Sequence, residues 1–160
     1  MRQEPTIVER PEQPYVAIRG AVTMAAISQL ADRLPEVFAW LAERGVEPVD
    51  APFFKYDVID MERELVMQAG VPVAEVQQGE GEVVAGVLPG GRYASVTHVG
   101  HPEGLLDATR DLLAWADERE LKWDVDGDRW GCRLEVYKSD PREEPDLSKW
   151  ETELLFRLRE

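Results

Sequence analysis

The chain predicts an α+β fold built from two pseudo-symmetric strand–helix–strand–strand modules, each an antiparallel sheet with its helix on one face. Three observations carry this prediction. Apolar residues alternate with a period of two through most of the sequence, which marks strands. Two stretches, Met24–Arg44 and Pro102–Arg119, change to the three- and four-residue spacing of amphipathic helices. Finally, Ala39–Trp40–Leu41–Ala42–Glu43–Arg44 is echoed by Ala114–Trp115–Ala116–Asp117–Glu118–Arg119, and each copy follows a strand that opens on a tyrosine, Tyr15 or Tyr93. A repeated supersecondary unit suggests one domain over 1–160 with modules at about 14–77 and 83–158 and a ligand cleft between them.

Taken in order, Thr6–Arg10 reads as a short edge strand between prolines, and Tyr15–Val22 as a strand with Val16, Ile18 and Val22 on one face. In the first helical stretch Ile27, Leu30, Leu34, Val37, Phe38 and Leu41 form the apolar stripe. Thr23 is its expected N-cap and Gly45 its C′ residue. Pro35 either kinks one helix or begins a second, with the break near Leu34. Phe53–Ile59 is a strand, Asp60–Arg63 a turn, and Glu64–Val73 a strand ended or bent at Gly70 and Pro72. The Gly-rich run Gln77–Glu82 is a loop, Val83–Leu88 a short strand, and Pro89–Gly90–Gly91 a turn. Arg92–Val99 is a strand and Pro102–Arg119 the second helix. Arg129–Lys138 and Trp150–Leu158 are the closing strands. In the last of these Leu154, Phe156 and Leu158 share one face, and Glu153, Leu155 and Arg157 the other.

Thirty-two acidic against 18 basic residues give a net charge of −14, which argues against a nucleic-acid backbone as partner and favours cationic ligands, or simply keeps the surface soluble. The single cysteine, Cys132, excludes an intrachain disulfide and reads as a small core residue. The N-terminus lacks the apolar core of a signal peptide, and no run approaches the roughly 18 apolar residues of a membrane span, so the expected location is cytoplasmic.

No phosphate loop, dinucleotide fingerprint, zinc-protease motif or nucleophile elbow is present. His98 and His101 lack the further ligands a metal needs, and Asp124–Asp128 lacks the closing glutamate of a calcium loop. No metal or cofactor is expected. What remains is aromatic residues and carboxylates. Arg133, Glu135 and Tyr137 share one face of their strand, Phe54 and Tyr56 one face of theirs, and Trp40 flanks the first helix's apolar stripe. If these faces converge with Glu153, the result is an aromatic pocket with an acid at its floor, suited to an apolar cation. The plainer alternatives are core packing for the rings, pairing of Glu135 with Arg133 or Lys138 at the surface, and solvent for Glu153.

The residues Ala51–Pro52–Phe53–Phe54–Lys55–Tyr56, Leu88–Pro89–Gly90–Gly91–Arg92–Tyr93–Ala94, His98–Val99–Gly100–His101–Pro102–Glu103–Gly104–Leu105, Ala114–Trp115, Tyr137–Lys138–Ser139–Asp140–Pro141 and Trp150–Glu151–Thr152–Glu153–Leu154 together resemble the GyrI-like small-molecule-binding domain. That domain is also the effector-binding half of AraC- and MerR-type multidrug regulators. The resemblance spans Pro14 to Leu158 and rests on the order of these segments. It implies two modules around a cleft and a ligand that is bulky, aromatic and often cationic. It also implies Glu153 as the characteristic anion, with Tyr137, Phe54 and Tyr56 beside it. Two departures are Gly100–His101–Pro102, where the family commonly has Gly–Pro–Tyr, and a frequent last-strand proline replaced near Phe156–Arg157.

The resemblance leaves no residues over for a helix-turn-helix, so a stand-alone binding protein is expected, one that sequesters or senses aromatic cations. The alternative is an enzyme, similar to family hydrolases that open cyclopropane rings of genotoxic natural products, with Glu153 activating water and Tyr137 donating to the developing anion. A protein partner, as in inhibition of a topoisomerase, is a third reading with no sequence support of its own, and two loosely placed histidines give little support to haem.

Overall fold

In the computed structural model, residues 4–23, 27–59, 65–139 and 143–159 are described. The strands are β1 (Thr6–Arg10), β2 (Gln13–Val22), β3 (Phe53–Ile59), β4 (Leu65–Pro72), β5 (Val83–Leu88), β6 (Gly91–Val99), β7 (Val125–Asp126), β8 (Arg129–Trp130), β9 (Arg133–Tyr137) and β10 (Glu151–Arg157). They form one sheet in the order β1-β6-β10-β9-β3-β4-β2-β5, with the small β7–β8 hairpin attached to β3. Every named pairing is antiparallel. The two ends exchange partners: β1 runs into β2 but pairs with β6, while β5 runs into β6 but pairs with β2.

The first helical stretch is two helices, α1 (Ile27–Ala31) and α2 (Leu34–Glu43), and Pro35 sits in the first turn of α2. Proline is tolerated there because that N–H has no intrahelical acceptor. Leu30, Val37 and Leu41 are buried, whereas Phe38 is exposed and leaves the predicted stripe. Gly45 takes the left-handed conformation expected just past a helix end. The second helix, α3 (Leu105–Glu118), follows a 3-10 turn at Pro102–Gly104. The hexapeptide repeat is also a structural one. Arg44 lies 3.8 Å from the Trp40 ring centroid and Arg119 4.5 Å from that of Trp115, and each guanidinium donates to its own tryptophan's carbonyl at 3.3 Å.

The strand through Gly70 runs on to Pro72, one of its two expected ends. A single strand over Arg129–Lys138 is broken into β8 and β9 at Gly131–Cys132. The Thr23 cap and the Asp60–Arg63 turn depend on residues 24–26 and 60–64, which lie outside the described residues.

Residues directly opposite each other in antiparallel strands share a face. One cross-strand row runs Val83–Ile18–Ala69–Phe54–Glu135–Leu154–Val96. This is the helix face. Val16, Ile18, Met67, Ala69 and Phe54 pack with Leu30, Val37 and Leu41 at one end, and Ala94, Leu154 and Phe156 pack with Leu105 and Leu112 at the other. The next row, Val84–Ala17–Gly70–Phe53–Val136–Glu153–Thr97, points to the opposite face. That face has a core of its own, with Tyr15, Phe53, Tyr93, Leu134 and Leu155. Cys132 is fully buried there, and burial pushes its thiol pKa up. Beside this core runs a polar chain in which Tyr15 donates to Gln68 at 2.8 Å, Gln68 to Asp57 at 2.7 Å, and Lys55 to Asp57.

Candidate functional site

The helix-face row has one charged member, Glu135, between Phe54 and Leu154. Alternation along β9 brings Arg133 and Tyr137 to the same face, and alternation along β3 brings Tyr56. The Tyr56 hydroxyl donates to Glu135, and the Tyr137 hydroxyl reaches the same carboxylate oxygen at 3.4 Å. Tyr137 meets Phe54 edge-on, with ring centroids 5.3 Å apart. Trp40 of α2 packs against the same apolar cluster as Tyr56 and Tyr137, and its Nε1 is buried without a hydrogen-bond partner among the described residues. Phe54, Tyr56, Glu135 and Tyr137 are therefore together, where β9 meets β3, and Trp40 lies against the apolar cluster to which Phe54 belongs.

The electrostatics follow from enclosure. Burial pushes the Glu135 pKa up, against the opposing pull of the Tyr56 hydrogen bond, Arg133 and the Tyr137 hydrogen bond. Burial, then the neighbouring carboxylate, hold both tyrosines well above their ordinary pKa. Glu135 is thus an acceptor for two neutral phenols in a largely apolar setting, with a weakened hold on its own charge.

Glu153 does not join them. Its row lies on the other face, where it accepts from Ser95 Oγ at 2.7 Å and lies 3.5 Å from Lys138 Nζ, which is also 3.6 Å from Asp50. Its side chain is 16% exposed, so it is neither a free surface acid nor part of the aromatic site. The neighbour of Tyr137 on β10 is Thr152, not Glu153.

Sequence reasoning read Arg133 only as a surface partner for Glu135. Instead its guanidinium carbon lies 4.4 Å from the Phe156 ring centroid, 4.7 Å from Trp130 and 5.9 Å from Tyr56. Burial lowers its pKa, opposed by Tyr56 and Glu135. The signal available in the sequence was its shared face with Glu135 and Tyr137.

A separate groove of about 510 Å³ lies between β6 and α3, lined by Glu4, Val96, His98, Asp107, Asp111 and Trp115 among others. It contains none of the six predicted site residues. Among the described residues there is no group of three or more histidine, cysteine or acidic side chains able to hold a metal, and no helix long and apolar enough to cross a membrane.

Comparisons with known proteins agree with this layout at the level of fold. The family profile described as "GyrI-like small molecule binding domain" matches residues 3–159. The isolated C-terminal domain of EcmrR is similar over 100% of this chain and 99% of its own, with a TM-score of 0.77 and 17% identity. EcmrR in its DNA complex gives 0.81 and 18%, but there this chain, covered over 98%, spans only 57% of the longer protein. SAV2435 bound to tetraphenylphosphonium is similar over 98% of this chain and 94% of its own, with a TM-score of 0.71 and 9% identity. A hydrolase from Listeria innocua covers 98% and 92%, with a TM-score of 0.63 and 15% identity. A search of curated proteins gives no match.

Proposed function

The chain belongs to the GyrI-like small-molecule-binding domain family, and on that premise we propose that it binds bulky aromatic compounds at the β9–β3 junction, with Glu135 receiving a cationic group. The observation that carries this is the single carboxylate in an otherwise apolar row of seven, ringed by Phe54, Tyr56 and Tyr137. A permanent cation beside a buried carboxylate favours its ionised form, and the ring faces add cation–π attraction. The bound tetraphenylphosphonium of SAV2435 is a compound of this class, and the net charge of −14 supports a small cation over a phosphate backbone as partner. The strand order supports two modules: β6-β10-β9 on one side corresponds to β2-β4-β3 on the other, each with its own helix, and the site lies where they meet. Titration calorimetry with tetraphenylphosphonium tests the reading. Binding is expected, weakened at least tenfold by Glu135→Gln. Equal affinity in the variant overturns it.

A second reading is hydrolysis. The raised Glu135 pKa favours it, because a carboxylate that holds a proton more readily is a better general base for water, and Tyr56 and Tyr137 are placed to donate to a developing anion. Glu135 takes the role expected of Glu153. Mass analysis after incubation with cyclopropane-bearing compounds separates the readings: an added water, lost in Glu135→Gln, establishes turnover.

A further inference from the structure

Arg133 is a charged group beside Glu135 that the proposed function does not use. Among the described residues its guanidinium forms no hydrogen bond and no ion pair, and its Nε is buried without a partner. Rings surround it instead, Phe156 and Trp130 on the α3 side and Tyr56 on the α2 side. A buried donor left unpaired is costly, and Nε belongs to a planar guanidinium fork that matches a carboxylate or sulfonate. Glu135 does not meet this demand, although it lies two residues away on the same face of β9. Two such positions are about 6.6 Å apart along a strand.

We propose that the ligand of this site is amphoteric: an aromatic compound with an anionic group for Arg133 and a cationic or donor group for Glu135, about 7 Å apart. This rests on the placement of the site under "Proposed function" and narrows its ligand class. A cation with no acceptor leaves Arg133 Nε unpaired and adds a like charge beside the guanidinium, whereas a zwitterion meets both groups. The rings of Phe54, Tyr56 and Phe156 supply the apolar frame between the two charges. Trp40 Nε1, also buried and unpartnered, is a further donor in the same apolar cluster.

Rhodamine B and its ethyl ester share one frame and differ in a single carboxylate, so they isolate the Arg133 contribution. Fluorescence anisotropy should give an affinity at least tenfold higher for the free acid, the effect of one charge-assisted hydrogen-bonding group. Arg133→Met, which retains an apolar stem over the rings, should reduce that ratio to within about threefold by weakening the acid and sparing the ester. Arg133→Lys keeps the charge but loses the fork, so it should give an intermediate ratio and provides the test if the methionine variant does not fold. An unchanged ratio in either folded variant, or an ester that binds as tightly as the acid to the wild type, overturns the amphoteric ligand and leaves the aromatic site standing. If neither dye binds, and tetraphenylphosphonium fails as well, the site itself falls and this inference with it.

Discussion

Glu135 and Glu153 lie on neighbouring strands one register step apart, and their side chains leave opposite faces of the sheet. Glu153 is paired with Val136, the residue after Glu135. The two carboxylates therefore have separate chemistry: Glu135 accepts from two tyrosines among aromatic rings, and Glu153 from Ser95 near Lys138.

Paired substitutions read this separation directly. Glu153→Gln should leave tetraphenylphosphonium affinity within twofold while Glu135→Gln lowers it at least tenfold. The Glu153 variant should instead lose on the order of 1 kcal/mol of stability, since a half-buried charge-assisted contact is replaced by a neutral one. Calorimetry for binding and urea unfolding for stability measure the two effects. A larger binding loss in Glu153→Gln would reverse the assignment.

The pH dependence follows from the raised Glu135 pKa. Between the ordinary glutamate value and the raised one, the folded protein holds a proton that the unfolded chain has released. Stability therefore falls as pH rises through that window, and the cost persists above it. Glu135→Gln should remove this component, so the stability difference between variant and wild type should shift in the variant's favour from pH 4 towards neutrality. Affinity for a permanent cation should rise over the same window in the wild type and stay flat in the variant. Unfolding and binding titrations across pH measure both trends.

Arg157 ties three segments together. It donates to the Gly90 carbonyl from Nε at 3.1 Å and from Nη2 at 2.8 Å, and from Nη1 to Asp124 at 2.8 Å. The β5–β6 turn and the loop before β7 thus share one planar fork on β10. Arg157→Met should cost about 2–3 kcal/mol in urea unfolding, and Arg157→Lys should recover less than half of it, because a point charge cannot serve both the Gly90 carbonyl and Asp124 as the fork does.

Gly70 is a close approach rather than a flexible point. A Cβ there would sit 2.7 Å from the Phe53 ring and 3.3 Å from the Val16 carbonyl oxygen, and Phe53 is fully buried. Gly70→Ala should destabilise by about 1–3 kcal/mol, a fall of several degrees in Tm by calorimetry. Relief by Phe53→Leu in the double variant would confirm the ring as the obstacle.

Apart from the β7–β8 hairpin, the strands and both helical stretches were legible in the sequence because period-two and 3.6-residue spacing is local. The shared face of Arg133, Glu135 and Tyr137 was legible for the same reason. Which acid joins the rings was not. In β10 the consecutive residues Leu154, Leu155 and Phe156 are all buried, because the sheet has a core on each side. Alternation then separates two faces without saying which one carries the helices. That choice is fixed by the pairing of Phe54 with Glu135 across β3 and β9, a long-range register that no local pattern encodes. Arg133 escaped for a related reason, since an arginine beside a glutamate on a strand suggests a surface pair until the rings of Trp130 and Phe156 are placed under it.

The exchange of β1 and β5 also bears on how the protein is made. At about 5–20 residues per second, β1 leaves the ribosome several seconds before its partner β6 has been translated. Until then the nascent chain carries an orphan first strand and, before β5 emerges, a bare outer edge on β2. Neither half can finish its own sheet. Completion therefore waits on the late arrival of the other half, and the newborn chain is most exposed to wrong partners during that wait.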